Sequence, residues 1–243
     1  TLTRCQFDFN VVGAAVGIQG GTVFNDTSTM VLEDCDFLTN SVSAGGKATA
    51  LLNRGGMVTI SGSSFESNFA ASAVVNEANS NEDNGHLVVT GSSFVDNSNG
   101  GARGGAIANA YGTVELTNTH FENNFAGDGG AYYDYEGDVT IDGCTFYDNS
   151  AHYLGLGGGA IAVDESEIAI VDSLFDDNSC VDDAGAIAIA HAFGTARIIG
   201  CDFVQCRAKR AGAVSIHESD AKVTACRFIA NTATQYDGGA VHL

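Results

Sequence analysis

The chain contains no proline and no tryptophan, and it has few basic residues. Proline removes a backbone hydrogen-bond donor, so its absence from 243 residues is typical of a chain built almost wholly from paired strands. Ten Lys and Arg stand against 30 Asp and Glu, which gives a formal net charge of -20 at pH 7. This charge disfavours nucleic acid and anionic lipid as partners. The sequence also lacks a run of 18 apolar residues, so we expect no direct membrane insertion.

A repeat of 25 to 30 residues fills the chain. Each of its nine copies contains a Phe, and in eight of them an Asn follows three residues later; Cys206 replaces the Asn in the other copy. A residue that recurs at one place in every turn is expected to stack on its equivalents, with Phe in the core and Asn amides hydrogen-bonded along the axis. The stacked residues are Phe7, Phe37, Phe65, Phe94, Phe121, Phe146, Phe175, Phe203 and Phe228, with Asn10, Asn40, Asn68, Asn97, Asn124, Asn149, Asn178 and Asn231.

The residues before each Phe predict a strand and a sharp corner. An aliphatic residue such as Ile60 or Ile141 stands five positions before every Phe, and a second apolar residue lies two positions earlier. This period of two indicates a strand with one buried face. Three positions before the Phe stand residues that tolerate a positive φ, such as Gly62, Asn118 and Asp172. The second strand therefore begins at a fixed corner.

A glycine-alanine element, clearest at Gly158-Gly159-Ala160-Ile161, begins a third strand in each repeat, although it is blurred in the first three copies. Equal columns at a fixed period make each strand pair with its equivalent in the next turn, in parallel and in register. The sequence thus predicts an all-β parallel solenoid of about nine turns with three strands per turn. We expect residues 1–243 to form a single domain.

The pairing of Gly104-Gly105-Ala106-Ile107 with Phe121-Glu122-Asn123-Asn124 resembles the repeat of the polymorphic outer membrane proteins, a group of autotransporter adhesins. The resemblance covers nearly the whole chain, although the glycine pair is lost in the first three copies. It implies a right-handed parallel β-helix on a cell surface. It implies a fold and a location more directly than an activity.

Seven cysteines and one glycosylation sequon, Asn25-Asp26-Thr27, favour an extracellular or cell-surface location. Asn25 is accordingly the expected glycosylation site. A Cys180–Cys206 disulfide is the favoured bridge, because both residues lie in turns of adjacent repeats. Cys5–Cys35 and Cys201–Cys226 share a column, which allows either a bridge or a stack of free thiols.

Asp148 and Asp177 are the candidate catalytic residues. Both stand two positions after the Phe in adjacent repeats, so their carboxylates are expected about 5 Å apart, one strand spacing. That separation suits a retaining glycosidase pair or two calcium ligands, and calcium is the one cofactor that the sequence suggests. Asp is also an ordinary turn residue, which leaves a solvated corner as the alternative.

Other charged residues give weaker indications. The six His residues share no column, and we expect them to be exposed single residues. Asp182 and Asp183 are expected to face Lys209 and Arg210 in the next turn. A flat ice-binding face would need a regular outward array of Thr, and charged residues interrupt both outward columns.

These patterns favour a structural or adhesive module without catalysis of its own, from an extracellular or cell-surface protein. The alternative is a polysaccharide-active enzyme that uses Asp148 and Asp177. The expected partner is a protein or glycan on a surface, or another copy of the chain bound head to tail. Because the repeats run to both ends without a capping segment, we expect the 243 residues to be part of a longer protein or to join into filaments.

Overall fold

The structure, a computed structural model, describes residues 1–13, 21–43, 46–79, 84–152, 155–236 and 238–243. All regular secondary structure in these ranges is β, in short strands that pair only with strands of neighbouring turns and only in parallel. The chain passes in order through a first sheet, a second sheet, a short corner sheet and a third sheet, and then returns to the first.

Three sheets have nine strands each. The first sheet consists of Leu2–Thr3, Thr29–Glu33, Met57–Ser61, His86–Thr90, Thr113–Thr117, Asp138–Asp142, Glu167–Val171, Thr195–Ile199 and Asp220–Thr224. The second consists of Gln6–Asp8, Asp36–Leu38, Ser64–Glu66, Ser93–Val95, His120–Glu122, Thr145–Tyr147, Leu174–Asp176, Asp202–Val204 and Arg227–Ile229. The third consists of Val23–Asp26, Ala48–Arg54, Ser72–Glu77, Ile107–Ala110, Tyr132–Tyr135, Ile161–Asp164, Ile187–Ala190, Val214–His217 and Val241–His242.

The corner sheet was not anticipated by the sequence pattern. It consists of Phe125–Ala126, Ser150–Ala151, Ser179–Cys180, Arg207–Ala208 and Thr232–Ala233, with a separate pair formed by Val11–Val12 and Ser41–Val42. Each strand has two residues, which is too short to give a visible alternation.

The nine strands of a sheet are separated by eight steps, so the solenoid makes about eight turns, slightly fewer than the nine repeats counted in the sequence.

The core is a stack of Phe rings. Eight successive pairs, from Phe7–Phe37 to Phe203–Phe228, have ring centroids 4.6 to 5.1 Å apart and planes within 11° of parallel. The seven inner rings are fully buried. Because the spacing matches the distance between strands, in-register pairing forces the rings into one column. Aliphatic residues from the first and third sheets pack around this column.

The predicted Asn column forms an amide ladder beside the Phe column. From Asn10 to Asn178, each Nδ2 donates to Oδ1 of the next Asn at 2.8 to 3.0 Å. In Asn124, Oδ1 also accepts the backbone N–H of Asn97, and Nδ2 also donates to the carbonyl of Phe94. The ladder satisfies backbone groups that the corner would otherwise leave unpaired. It is interrupted at Cys206, whose N–H donates to Asn231 Oδ1 at 2.9 Å.

Left-handed backbone conformations mark the corners. The predicted corner three residues before each Phe has positive φ at Gly62, Asn118 and Asp172, which confirms that assignment. The position two residues after the Phe is left-handed as well, at φ +51° to +56°. Phe9 and Ala230 occupy this position in their repeats, whereas other repeats have polar residues there. The side chains at this position point to solvent.

No α-helix of the length and hydropathy required to span a bilayer occurs in the described ranges.

Candidate functional site

The predicted acidic pair, Asp148 and Asp177, lies at the left-handed position after the second sheet. Their φ angles are +52° and +54°, and both residues are exposed. The backbone N–H of Asp148 donates to the carbonyl of Asp176 in the next turn at 3.1 Å. Asp is among the residues that adopt this conformation most readily, so the backbone alone accounts for both residue types.

The surroundings of Asp148 nevertheless perturb its carboxyl group. Partial burial, then the nearby Asp177 carboxylate, then Glu122 raise the pKa of Asp148 above its ordinary value. A carboxyl group with a raised pKa keeps its proton to higher pH, as a general acid must.

A second cluster surrounds Asp183, which is 4% exposed. Its Oδ2 lies 2.9 Å from Nε2 of His217, and its Oδ1 lies 3.3 Å from Nη1 of Arg210 in the next turn. The expected ion pair between Asp183 and Arg210 is thus formed. His217, which the sequence pattern placed among exposed single residues, is largely covered and also contacts Ser215 Oγ at 2.9 Å.

Two surface depressions have charged side chains in their walls. A shallow groove of about 440 Å³ on the outer face of the first sheet is lined by Glu115, Asp138, Glu167 and Arg197. A smaller cavity of about 260 Å³ contains Asp183, Arg210 and His217 in its wall. Within the part of the chain that the structure describes, no three His, Cys, Asp or Glu side chains are grouped closely enough to hold a metal ion.

Comparison with protein families gives one match: a family described as "Right handed beta helix region" matches residues 48–232, more than half of the chain. The chain belongs to the right-handed β-helix family. Neither the curated proteins nor the solved structures compared with this β-helix give a match.

The structure of this β-helix argues against glycosylation at Asn25. Asn25 is 2% exposed, and its Nδ2 donates to Asn53 Oδ1 at 2.8 Å and to the carbonyl of Ser28 at 2.7 Å. Both amide hydrogens are therefore used, and the nitrogen that would carry a glycan has no access to solvent. Asn25 therefore has a structural role in the folded β-helix, and its glycosylation stays an untested prediction.

Asn25 begins a second amide ladder that the sequence analysis missed. Asn53 Nδ2 donates to Asn76 at 2.7 Å, Asn76 to Asn109 at 2.8 Å, and Asn109 to Asp134 at 3.1 Å. This ladder runs along the third sheet, near the C-terminal ends of its strands. It satisfies the carbonyls of Ser28, Gly56 and Gly112 at the return corner.

The favoured Cys180–Cys206 bridge and the two possible bridges are absent from the structure, in which all seven cysteines are free thiols. Cys180 points into a small cluster with Ala151 and Ala208 under the corner sheet, whereas Cys206 occupies the Asn column in the main core. Cys5–Cys35 and Cys201–Cys226 share a column as expected, but their thiols donate to carbonyl oxygens instead of bonding to each other. Stacked Cβ atoms sit one strand spacing apart, about 4.8 Å, which exceeds the roughly 3.8 Å of a disulfide.

Proposed function

We propose that this β-helix is a non-catalytic structural and adhesive module, displayed outside the cell as one continuous rod of nine layers with three main strands each. The observation that carries the proposal is the continuity of the internal columns. Eight consecutive Phe stacks and two amide ladders connect successive turns. Such columns favour a stiff scaffold that holds its outer faces at a constant spacing.

The outer faces suit contact with a surface partner. The first sheet presents Thr, acidic and basic side chains in straight outward columns, such as Thr113, Asp138 and Glu167. A net charge of -20 keeps the rods apart in solution and disfavours anionic partners. The repeat resembles that of the polymorphic outer membrane adhesins, which supports a protein or glycan on a cell surface as the partner.

Adhesion of the rod to cells and glycans tests this proposal. Beads coated with the protein through one terminus are placed on cell monolayers and on arrays of immobilised glycans, and retention under flow is measured. Beads coated with heat-unfolded protein serve as the control. Retention that depends on the folded rod supports the proposal, and the absence of retention on every surface contradicts it.

A second candidate is a polysaccharide-active enzyme, with Asp148 as the general acid and Asp177 as the second carboxyl group. The raised pKa of Asp148 favours it. Release of reducing ends or unsaturated products from neutral and uronate glycans, with and without calcium, tests this candidate. Turnover that is abolished in Asp148→Asn and Asp177→Asn but retained in Asp96→Asn, a residue of the same left-handed column, would establish catalysis and overturn the adhesive proposal.

A further inference from the structure

A groove of about 470 Å³ lies along the outer face of the corner sheet. Its walls are formed by residues 150–152, 179–181, 207–209 and 234–235, which belong to four successive turns. Because side chains alternate along a strand, Arg207 points away from the buried Ala208 and towards solvent. The volume falls within the roughly 300 to 1,000 Å³ of sites that hold small ligands.

The backbone of the groove floor is occupied by hydrogen bonds between turns. The strand Ser179–Cys180 pairs in parallel with a strand of the preceding turn and a strand of the following turn. Next to it, the N–H of Val181 donates to the carbonyl of Ala151 at 3.2 Å. A peptide that binds by adding a strand needs a free strand edge, which this floor does not offer within the described residues. A ligand of the groove must therefore be recognised by side chains.

Two basic side chains of the groove lack a counter-ion. Six of the ten Lys and Arg residues form ion pairs with Asp or Glu, namely Arg4, Lys47, Arg54, Arg103, Arg210 and Arg227. Arg207 and Lys209 form no ion pair with any described residue, and neither Asp nor Glu is among the residues that line the groove. An anionic group of a ligand would supply the missing opposite charge.

Three acidic residues stand near the groove without lining it. Asp182 lies in the wall of the neighbouring 260 Å³ cavity, while Asp148 and Asp177 precede Ser150 and Ser179 by two residues. These carboxylates oppose a ligand with several negative charges. Acidic residues farther away matter less, because salt at physiological concentration screens charges beyond about 8 Å. The groove therefore favours a ligand with a single negative charge.

The other polar side chains of the groove are available to a ligand. The hydroxyl groups of Ser150 and Ser179 and the side-chain amide of Gln235 form no hydrogen bond with another residue of the described ranges. Each of these groups can both donate and accept a hydrogen bond. The hydroxyl groups of a sugar have the same double capacity, so a sugar residue matches this lining.

We propose that the groove binds a sugar residue that carries one sulfate ester, within a glycan on a surface. Arg207 and Lys209 donate to the terminal oxygen atoms of the sulfate, and Ser179 and Gln235 contact hydroxyl groups of the sugar ring. The inference rests on the proposed adhesive function, for which it supplies the ligand class and the position on the rod.

The charge and shape of a sulfate ester distinguish it from other anions. Its single charge meets less repulsion from a chain of net charge -20 than a phosphate monoester, which carries up to about two charges at neutral pH. Its three terminal oxygen atoms can accept from Arg207, Lys209 and a serine hydroxyl at once, whereas a carboxylate has two oxygen atoms for the same donors.

Calorimetric titration of the intact chain tests the site. The ligands are N-acetylglucosamine with a sulfate on its primary hydroxyl, the same sugar with a phosphate there, the unmodified sugar, and glucuronic acid. We expect saturable binding of the sulfated sugar, and affinities at least about tenfold lower for the other three. A higher salt concentration should weaken binding of the sulfated sugar, because the contact is between charges near the surface.

Arg207→Ala and Lys209→Ala each remove one of the two cations. Neither side chain has a partner among the described residues, so both variants are expected to fold, and each should weaken binding of the sulfated sugar about tenfold. Lys222→Ala is the matched control. It makes the same change in net charge at an exposed residue outside the groove and should leave the affinity unchanged.

Three results would overturn the inference: no saturable binding of the sulfated sugar, equal or tighter binding of one of the other ligands, or an equal loss of affinity in Lys222→Ala. The bead assay separates this failure from that of the proposed function. Beads that are retained equally with and without Arg207→Ala, on sulfated and unsulfated glycans alike, remove this site and leave the adhesive function intact. Absence of retention on every surface, together with saturable binding of the sulfated sugar, contradicts the adhesive function alone.

Discussion

Asn109 donates its side-chain amide to Oδ2 of Asp134 at 3.1 Å across one turn, and this contact ends the second amide ladder. In the following turns the same column contains Val163, Ile189 and Ile216. Asp134 is fully buried, and its carboxylate also accepts from the hydroxyls of Tyr132 and Ser166. An acidic group thus lies at the junction between a polar and an apolar column.

The buried carboxyl of Asp134 is expected to make stability depend on pH. Burial raises its pKa from 3.8 to about 6, although the three hydrogen bonds oppose this shift. The folded state therefore holds the proton more tightly than the unfolded state. Stability from this group is greatest below the unfolded pKa and falls as the pH rises through about 6, by about 3 kcal/mol in total.

Asp134→Asn tests this dependence. The new amide oxygen accepts from Asn109 and Tyr132, and the new N–H group donates to Ser166 Oγ, so no partner is lost. Denaturant unfolding from pH 4 to pH 8 should show the variant gaining stability over the wild type as the pH rises. Asp138→Asn, which removes an exposed acid in the same turn, should not reproduce this trend. A difference that is constant with pH would contradict the assignment.

Phe146→Ala should lower the free energy of unfolding by about 3 to 5 kcal/mol. The ring is fully buried between Phe121 and Phe175, and the neighbouring turns cannot close the cavity without breaking register. Phe193→Ala makes the same chemical change at a residue that is 54% exposed and should cost less than about 1 kcal/mol. Equal effects in thermal or denaturant unfolding would show that the column is not a packed core.

Asn124→Ala should destabilise the chain by about 2 kcal/mol or more. The change removes the acceptor of the Asn97 N–H in a buried corner. It also takes one hydrogen bond each from the Phe94 carbonyl and from the side-chain amides of Asn97 and Asn149. Asn123→Gly is the control, because Asn123 is exposed and its φ of +51° suits glycine. Urea unfolding of the two variants should differ clearly, and a neutral Asn124→Ala would mean that the ladder does not contribute to stability.

Asn25 should carry no glycan in folded protein secreted from a eukaryotic host. Its amide is enclosed by Asn53, Ser28 and Gly56. Intact-mass measurement is expected to give the unmodified polypeptide mass. Thr27→Ala removes the sequon without touching the ladder, and it should change the mass only by the substitution itself. A glycan mass that disappears in Thr27→Ala would contradict the buried position.

Titration with a thiol reagent should find seven free cysteines in denaturant and slow reaction in the native state. Burial raises the pKa of Cys144 to about 11 and those of Cys201 and Cys206 to about 12, so little reactive thiolate forms at pH 8. Cys5 and Cys226 are partly exposed and should react first. Five thiols in denaturant instead of seven would reveal a disulfide.

The solenoid could be predicted from the sequence because its signals have constant spacing. The block from the aliphatic residue through the Phe to the Asn never changes length, so two strands, one corner and one ladder follow directly from the columns. The corner sheet could not be predicted, since two-residue strands have no period. The fold could therefore be predicted from this one block, because the block admits no insertions.

The second ladder was missed although a signal for it exists. Asn25, Asn53, Asn109 and Asp134 each lie seven residues before the buried aliphatic residue of the first sheet. In the third turn an inserted segment moves Asn76 to thirteen residues before Val89, and in later turns the column becomes apolar, which hides the pattern. The contacts around Asp183 depend on how loops of different length fold back onto the third sheet. Column spacing carries no information on such contacts.

The parallel pairing of every sheet also determines how the rod resists force. Because the strands run across the long axis, the hydrogen bonds between turns point along it. Tension between two distant turns therefore pulls along these bonds and opens the outermost turn first, so the turns detach one after another. Each event releases one repeat of 25 to 30 residues, or roughly 90 Å of extended chain, and leaves the next turn folded. Under load the molecule would thus lengthen in discrete, nearly equal steps and act as a mechanical buffer.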